Sequence, residues 1–249
     1  MILRNEVLQG CCLELMQTLP DHSVDMILCD LPYGTTRCSW DSAIPFDDLW
    51  AAYRRVVKPN GAIVLFSAQP FTSALVMSNP KMFKYEIIWR KTTPTGYLNA
   101  KKQVMRSHEN ILVFYSKQPT FNPQKTYGHA RKVSTAAHKR NSRKAEVYGE
   151  YRPATYDSTE RYPTSVLTFS RDSQKSALHP TQKPVELCEW LIKTFTNPGE
   201  LVLDNCAGSG STGIACMRAG RDYILMEKEQ KYVEVINRRI TGEVFKDIF

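Results

Sequence analysis

Asp30-Leu31-Pro32-Tyr33 sets a carboxylate, a main-chain carbonyl and an aromatic ring within four residues. An exocyclic amine on a flat ring needs those three groups. Carboxylate and carbonyl can each accept one amine hydrogen, and the tyrosine can stack on the ring, an interaction worth about 1–3 kcal/mol per base in single-strand binders. Taken alone, the tetrapeptide is equally well a strand followed by a proline turn. A second segment, Asn205-Cys206-Ala207-Gly208-Ser209-Gly210-Ser211-Thr212-Gly213, carries its glycines at the spacing of a dinucleotide loop. Such glycines let the main chain approach a ligand closely at a helix N-terminus. Glu227 ends the next apolar run, where a carboxylate can accept from ribose hydroxyls. A nucleoside cofactor follows from these residues, and its identity stays open.

These residues need strand ends to hold them. The apolar run at 24–29 stops abruptly at Asp30, which predicts a buried parallel strand opening into a loop at its carboxyl end, where ligands bind in open α/β sheets. Phe46, Leu49, Trp50, Tyr53, Val56 and Val57 recur at helical spacing until Pro59-Asn60-Gly61 turns the chain into a strand at 62–66. Two more strands are predicted at 85–89 and 110–115, with a polar loop around Thr92-Thr93-Pro94-Thr95-Gly96 between them. A second α/β unit begins with a helix face of Leu187, Cys188, Leu191, Ile192 and Phe195. It continues through a strand at 201–204, the glycine loop, a helix to about Arg218, a strand at 223–227 and a helix at 232–240.

Between these halves, at 117–175, apolar periodicity fades into prolines, hydroxyl residues and basic residues. Lys125, Arg131, Lys132, Lys139, Arg140, Arg143 and Lys144 fall in one stretch without a carboxylate. That pattern suits contacts to a nucleic-acid backbone, with a solvated basic loop as the plainer reading. Lys101, Lys102 and Arg106 add cations from the preceding loop. The net charge of +8 over 249 residues agrees with a polyanionic partner. With 42% hydrophobic and 23% charged residues the composition is that of a soluble globular protein. No apolar run is long enough to span a membrane and no leader pattern opens the chain, so the expected location is cytoplasmic. Seven scattered cysteines without a C-x-x-C pair predict neither disulfides nor a metal site.

In the order of its motifs the chain resembles the N4/N6 amino-methyltransferases of DNA, of the class in which the catalytic motif precedes the cofactor motif. The matching elements are Leu19-Pro20-Asp21-His22-Ser23-Val24-Asp25 leading into Asp30-Leu31-Pro32-Tyr33-Gly34, then His179-Pro180-Thr181-Gln182-Lys183-Pro184, then residues 204–212. Three motifs in order are far more specific than one. The resemblance implies S-adenosyl-L-methionine as cofactor and double-stranded DNA as partner. It implies that Asp30 and the Leu31 carbonyl hold the target amine, with Pro32 shaping the turn and Tyr33 stacking on a flipped base. It further implies that Asp204, Cys206, Ala207, Gly208, Ser209, Gly210 and Thr212 line the methionine end of the cofactor and Glu227 its ribose. Asp30 borders the cofactor, and His179, Thr181, Gln182 and Lys183 lie at its carboxylate. Cys11 stands where the family often has an acidic residue near the adenine, and Leu31 where it commonly has proline.

The expected architecture is a Rossmann-like α/β fold with a seven-stranded, mostly parallel sheet, helices on both faces, and the segment at 2–8 as one strand. Residues 1–116 form the catalytic half, 117–175 a basic target-recognition insert, and 176–249 the cofactor half. The expected reaction is methyl transfer to the N6 of adenine in an extruded nucleotide, without a metal. An N4-cytosine enzyme is the nearest alternative; Asp30 favours adenine because the cytosine enzymes of this family usually place serine there. A nicotinamide oxidoreductase would explain Gly208 to Gly213 and Glu227 but not Asp30 to Tyr33. A silent DNA-binding protein of the same fold, a homodimer and a cognate restriction enzyme stay open.

Overall fold

The computed structural model describes residues 3–34, 43–135, 155–171 and 182–242. By its internal contacts the chain divides into two units, residues 1–122 with 165–249, and residues 123–164. Among the described residues no helix is long and apolar enough to cross a membrane.

The larger unit is built on one sheet, with strand order β1-β10-β9-β2-β3-β5-β4-β8. Its strands are β1 (Glu6–Gln9), β2 (Val24–Cys29), β3 (Val57–Ser67), β4 (Phe83–Thr95), β5 (Arg106–Phe114), β8 (Val166–Phe169), β9 (Leu201–Asp204) and β10 (Asp222–Glu227). Only β5 runs against its neighbours. β2 and β9 lie side by side, Met26 opposite Val202 and Ile27 opposite Leu203, so the loops after Cys29 and Asp204 leave from adjacent strand ends.

Two apolar clusters cover the two faces of this sheet. On one, Met26, Leu28, Val64, Phe66, Ile87, Trp89, Ile111 and Val113 pack against α4 (Val185–Phe195) and α5 (Ser211–Ala219). On the other, Val24, Ile27, Cys29, Ile63, Leu65, Leu112 and Phe114 pack against α1 (Cys12–Gln17), α2 (Phe46–Val56) and α3 (Phe71–Ser78). The strict alternation along β2, β3 and β5 sends successive side chains to opposite faces, both of them buried. α2 carries Asp47 and Asp48 in its first turn and Arg54 and Arg55 in its last, the arrangement the helix dipole favours. Arg55 also donates to the Leu19 carbonyl and Asp21, tying down the turn that leads into β2.

The departures from the sequence reading have local causes. Eight strands are paired where seven were expected, because Val166–Phe169 adds parallel to β4 at the sheet edge. Those four residues sit in a proline-rich, basic neighbourhood, and only pairing with β4 makes them a strand. The segment Thr92-Thr93-Pro94-Thr95 continues β4 instead of forming a loop, with a register shift between Arg90 and Thr95; the chain turns at Gly96, φ +89°. β3 starts at Val57, and Pro59-Asn60-Gly61 forms an irregularity within it instead of preceding it. α1 and α3, short helices without a clear periodic stripe, were not foreseen.

The smaller unit contains β6 (Lys132–Ser134) paired antiparallel with β7 (Tyr156–Ser158) and an isolated bridge between Thr126 and Arg161. Lys125 pairs with Glu160, and Arg131 makes a two-pronged contact with Asp157.

Candidate active site

Asp30, Leu31, Pro32 and Tyr33 leave β2 at its carboxyl end, and Asp204 to Ser209 leave β9 beside them. Both segments line a single cavity of about 590 Å³. Gly10 to Leu13 after β1 and Glu227 and Lys228 after β10 border the same cavity, together with Gln182 and Lys183 just before α4. The apolar face of α4 is wholly buried against α5 and the sheet, which fixes where Lys183 emerges.

In the cofactor-side half, α5 starts at Gly210 with φ +78° and no side-chain cap, so its first N–H groups are not taken up by a capping side chain. A Cβ on Gly210 would meet Ile236 at 3.0 Å, and one on Gly213 would meet Leu225 at 2.6 Å. Gly210 is therefore required by α6 (Gln230–Ile240) and by its backbone angle, and it does not itself line the cavity. Asp204 accepts from Thr212 Oγ1 at 2.6 Å and from the Cys206 N–H at 3.1 Å. Burial nevertheless pushes its carboxyl up to about 6. Glu227 accepts from the Gly208 N–H at 2.8 Å and the Glu229 N–H at 2.9 Å, and burial raises its carboxyl as well. Ser211 Oγ and Gln182 Oε1 are buried without a hydrogen-bond partner, and both residues border the cavity. Orphaned polar atoms of this kind are costly unless a ligand completes them. The donor set of α5, the carboxylates of Asp204 and Glu227 and these two orphans fit a ligand with an amino-acid end and a ribose.

The other half is built from charges that answer one another. Tyr33 donates its hydroxyl to Asp30 Oδ1 at 2.8 Å, and its ring stacks on Phe71 with centroids 4.8 Å apart. Lys183 Nζ donates to Asp30 Oδ2 and lies 3.5 Å from Glu109 Oε2 and 5.3 Å from the centre of the Phe66 ring. Lys91 Nζ pairs with the other Glu109 oxygen. Burial raises the Asp30 carboxyl, against the pull of Lys183. Burial also acts to raise Glu109, but Lys183 and Lys91 together outweigh it and hold that carboxyl below its ordinary value. Burial and the nearby carboxylates keep the Tyr33 phenol well above its usual range.

Sequence reasoning named Asp30, Leu31, Pro32, Tyr33, Cys11, Gln182, Lys183, Asp204, Cys206, Ala207, Gly208, Ser209, Thr212 and Glu227, and all of these border the cavity. His179 and Thr181 lie outside the described residues, as do Lys139, Arg140, Arg143 and Lys144 of the basic stretch. Lys183, expected at a cofactor carboxylate, is instead engaged by Asp30 and Glu109. Lys125 and Arg131 are neutralised by Glu160 and Asp157, which lie beyond the acid-free stretch in sequence but pair with it in space; Lys132 is exposed. Missed altogether were Phe66, Trp89, Lys91, Glu109 and Arg171, which line the cavity wall, and Arg106, read from the sequence as a cation for phosphate contacts, borders the same cavity. A signal for two of them was present: Lys91 follows Ile87 and Trp89, and Glu109 precedes Ile111 and Val113, at the inward positions of two strands.

An open α/β sheet with a glycine loop and an Asp-x-Pro-Tyr turn on one cavity defines a nucleoside-cofactor enzyme acting on a planar amine. Residues 24–238 match the model of the N6/N4 DNA methylase family, and the chain belongs to that family of DNA amino-methyltransferases. It is 29% identical over 253 residues to the DNA adenine methyltransferase YhdJ of Escherichia coli K12, covering 94% of this chain and 82% of YhdJ. It is 26% identical over 270 residues to the type II methyltransferase M.HinfI of Haemophilus influenzae, covering 95% and 68%. Among solved structures, M1.HpyAVI in complex with SAM aligns with a TM-score of 0.63 and 26% identity over 96% of this chain and all of that one. The PvuII cytosine-N4 methyltransferase shares the fold, with a TM-score of 0.66 at 17% identity over 100% and 92%.

Proposed function

We propose that this chain methylates the N6 of adenine in a nucleotide flipped out of double-stranded DNA. The observation that carries the reading is the sharing of one cavity by Asp30 to Tyr33 and by the glycine loop. S-adenosyl-L-methionine, when bound, supplies a methyl group on a positively charged sulfur. Asp204, Gln182, Ser211 and the start of α5 would hold its amino-acid end, and Glu227 its ribose.

The chain's own residues do the rest. Asp30 accepts one hydrogen of the target amine and the Leu31 main chain the other; Leu31 buries its side chain in the core, so what it offers the cavity is backbone. Two such acceptors draw the nitrogen lone pair out of conjugation with the ring and turn it toward the methyl. Tyr33, backed by Phe71, gives the base a stacking platform that offsets part of the few kcal/mol needed to extrude it. Holding both reactants in line can supply about 7–11 kcal/mol of the barrier.

Adenine is favoured over cytosine by Asp30 in place of serine and by the name of the YhdJ relative. Target recognition is assigned to the unit at 123–164 and its basic stretch, and phosphate contacts also to Lys101, Lys102 and Arg106 in and beside the β4–β5 turn. The test is transfer of labelled methyl from S-adenosylmethionine to mixed-sequence duplex DNA, with nucleoside analysis of the product. N6-methyladenine formed by the wild type and lost in Asp30→Ala supports the reading, whereas N4-methylcytosine as sole product overturns the choice of base.

A further inference from the structure

Glu109 Oε2 is buried and has no hydrogen-bond partner, although its sister oxygen is held by Lys91. Lys183 Nζ forms a long ion pair with it at 3.5 Å and donates its short hydrogen bond to Asp30 Oδ2 instead. Asp30 Oδ1 meanwhile accepts from Tyr33. The carboxylate that must receive the target amine thus already accepts on both oxygens, while Glu109 Oε2 beside it is met by Lys183 only at ion-pair distance. A movement of about 0.7 Å would bring the ammonium to charge-assisted hydrogen-bond distance of that acceptor.

We propose that Glu109 is a positioning residue for methyl transfer, taking over the Lys183 ammonium when the target amine claims Asp30 Oδ2. This rests on the reading of Asp30 as the amine's acceptor. The exchange keeps every buried charge answered: Asp30 passes from ammonium to amine, Glu109 gains the ammonium, and Lys91 holds Glu109 in place throughout. The four charges of Lys91, Glu109, Lys183 and Asp30 sum to zero before and after the exchange, so it brings no net charge into the site. Without Glu109 the ammonium would stay on Asp30 and compete with the amine. The Phe66 ring beside Lys183 offers a cation–π surface for the ammonium in this movement.

The groups that act on Asp30 are Cys29 of β2, Tyr33 of its own loop, Lys183 before α4, Glu109 of β5 with Lys91 of β4 behind it, and Asp204 of β9; Arg106 and Arg171 border the same cavity. Single-turnover methyl transfer to mixed-sequence duplex DNA, measured across pH, separates the exchange from a merely structural role. In Glu109→Gln the rate falls on the order of 10- to 100-fold, the effect of a blocked acceptor, with cofactor affinity unchanged. Its acid limb moves to lower pH, because Lys183 now pairs with Asp30 alone. In Lys183→Met the limb moves to higher pH, because Asp30 loses its cation. The double variant regains part of the rate lost in Glu109→Gln, since no ammonium then occupies Asp30. A limb that stays in place, or losses that simply multiply, overturns the exchange. If Glu109→Gln fails to melt cooperatively because Lys91 is stranded, Lys91→Met/Glu109→Gln carries the same expectation. A wild type that transfers no methyl at any pH overturns the functional reading itself, whereas an active wild type with unmoved limbs overturns only the exchange.

Discussion

The two halves of the cavity solve the problem of buried polarity in opposite ways. Around the glycine loop, groups are held apart and left wanting: Ser211 Oγ and Gln182 Oε1 lack partners, and Asp204 keeps a carboxyl displaced to about 6. Around Asp30, the charges satisfy one another through Tyr33, Lys183, Glu109 and Lys91. One half is preorganised at a cost to the fold and is completed by its ligand. In the other the charges answer one another when it is empty, Glu109 Oε2 through a long ion pair in place of a hydrogen bond, and they must change partners to work. That difference suits a tightly held small cofactor on one side and a transient base on the other.

The comparison breaks most severely at Asp30. Asp30→Ala is expected to lower the rate of methyl transfer on the order of 10²–10³-fold or more while leaving cofactor binding intact, as followed by calorimetry beside the transfer assay; a variant that loses cofactor binding first would erase the boundary between the halves. Tyr33→Ala comes next, losing about 1–3 kcal/mol of stacking, roughly 10- to 100-fold in kcat/KM for DNA, while Tyr33→Phe keeps the ring and most of the activity.

Asp204→Asn sharpens the cost side. A buried carboxyl raised from 3.8 to about 6 stabilises the fold only while protonated, and that contribution disappears as pH rises from the lower value through the upper. At neutral pH the asparagine variant should therefore be more stable by about 1–3 kcal/mol, a Tm gain of roughly 3–10 °C that shrinks toward pH 4, with weakened cofactor binding. A Tm that falls at neutral pH would refute the strain assigned to this side. In the wild type, cofactor affinity should decline as pH drops through about 6, readable in a pH series of binding isotherms. The smallest effect belongs to Lys132→Ala, which should lower the slope of log affinity for DNA against log salt by about 1 without altering the base modified.

The contrast between the halves was only half legible in the sequence. The cofactor side is local: strand, glycine loop and helix follow one another along the chain, and their residues are neighbours because they are consecutive. Asp30 to Tyr33 is local in the same way. Lys183 could be named but not placed, since its partners come from β2 and β5. Lys91 and Glu109 show the limit most clearly. Each is an ordinary charged residue in its own segment, and only the antiparallel pairing of Trp89 with Glu109 turns two inward positions into one ion pair. The same holds in the smaller unit, where Asp157 and Glu160 cancel cations that looked unopposed. β8 escaped notice because a four-residue edge strand is made by its partner more than by its own sequence.

The way the chain leaves and re-enters the sheet has a consequence for how such proteins diversify. Asn122 is pinned by its N–H to the Thr194 carbonyl and by its side chain to the Lys193 and Thr196 carbonyls, and the Ser165 carbonyl receives the Ile88 N–H. Asn122 and Ser165, the last and first residues of the larger unit on either side of the 123–164 segment, are thus held within that unit, and the Thr126–Arg161 bridge brings the two ends of the smaller unit together. Such a segment is a cassette: it can lengthen, shorten or be exchanged for another between fixed joints while the catalytic sheet is inherited unchanged. With target recognition placed in this unit, as proposed above, a lineage could acquire a new reading of DNA in a single recombination, with no new chemistry to evolve.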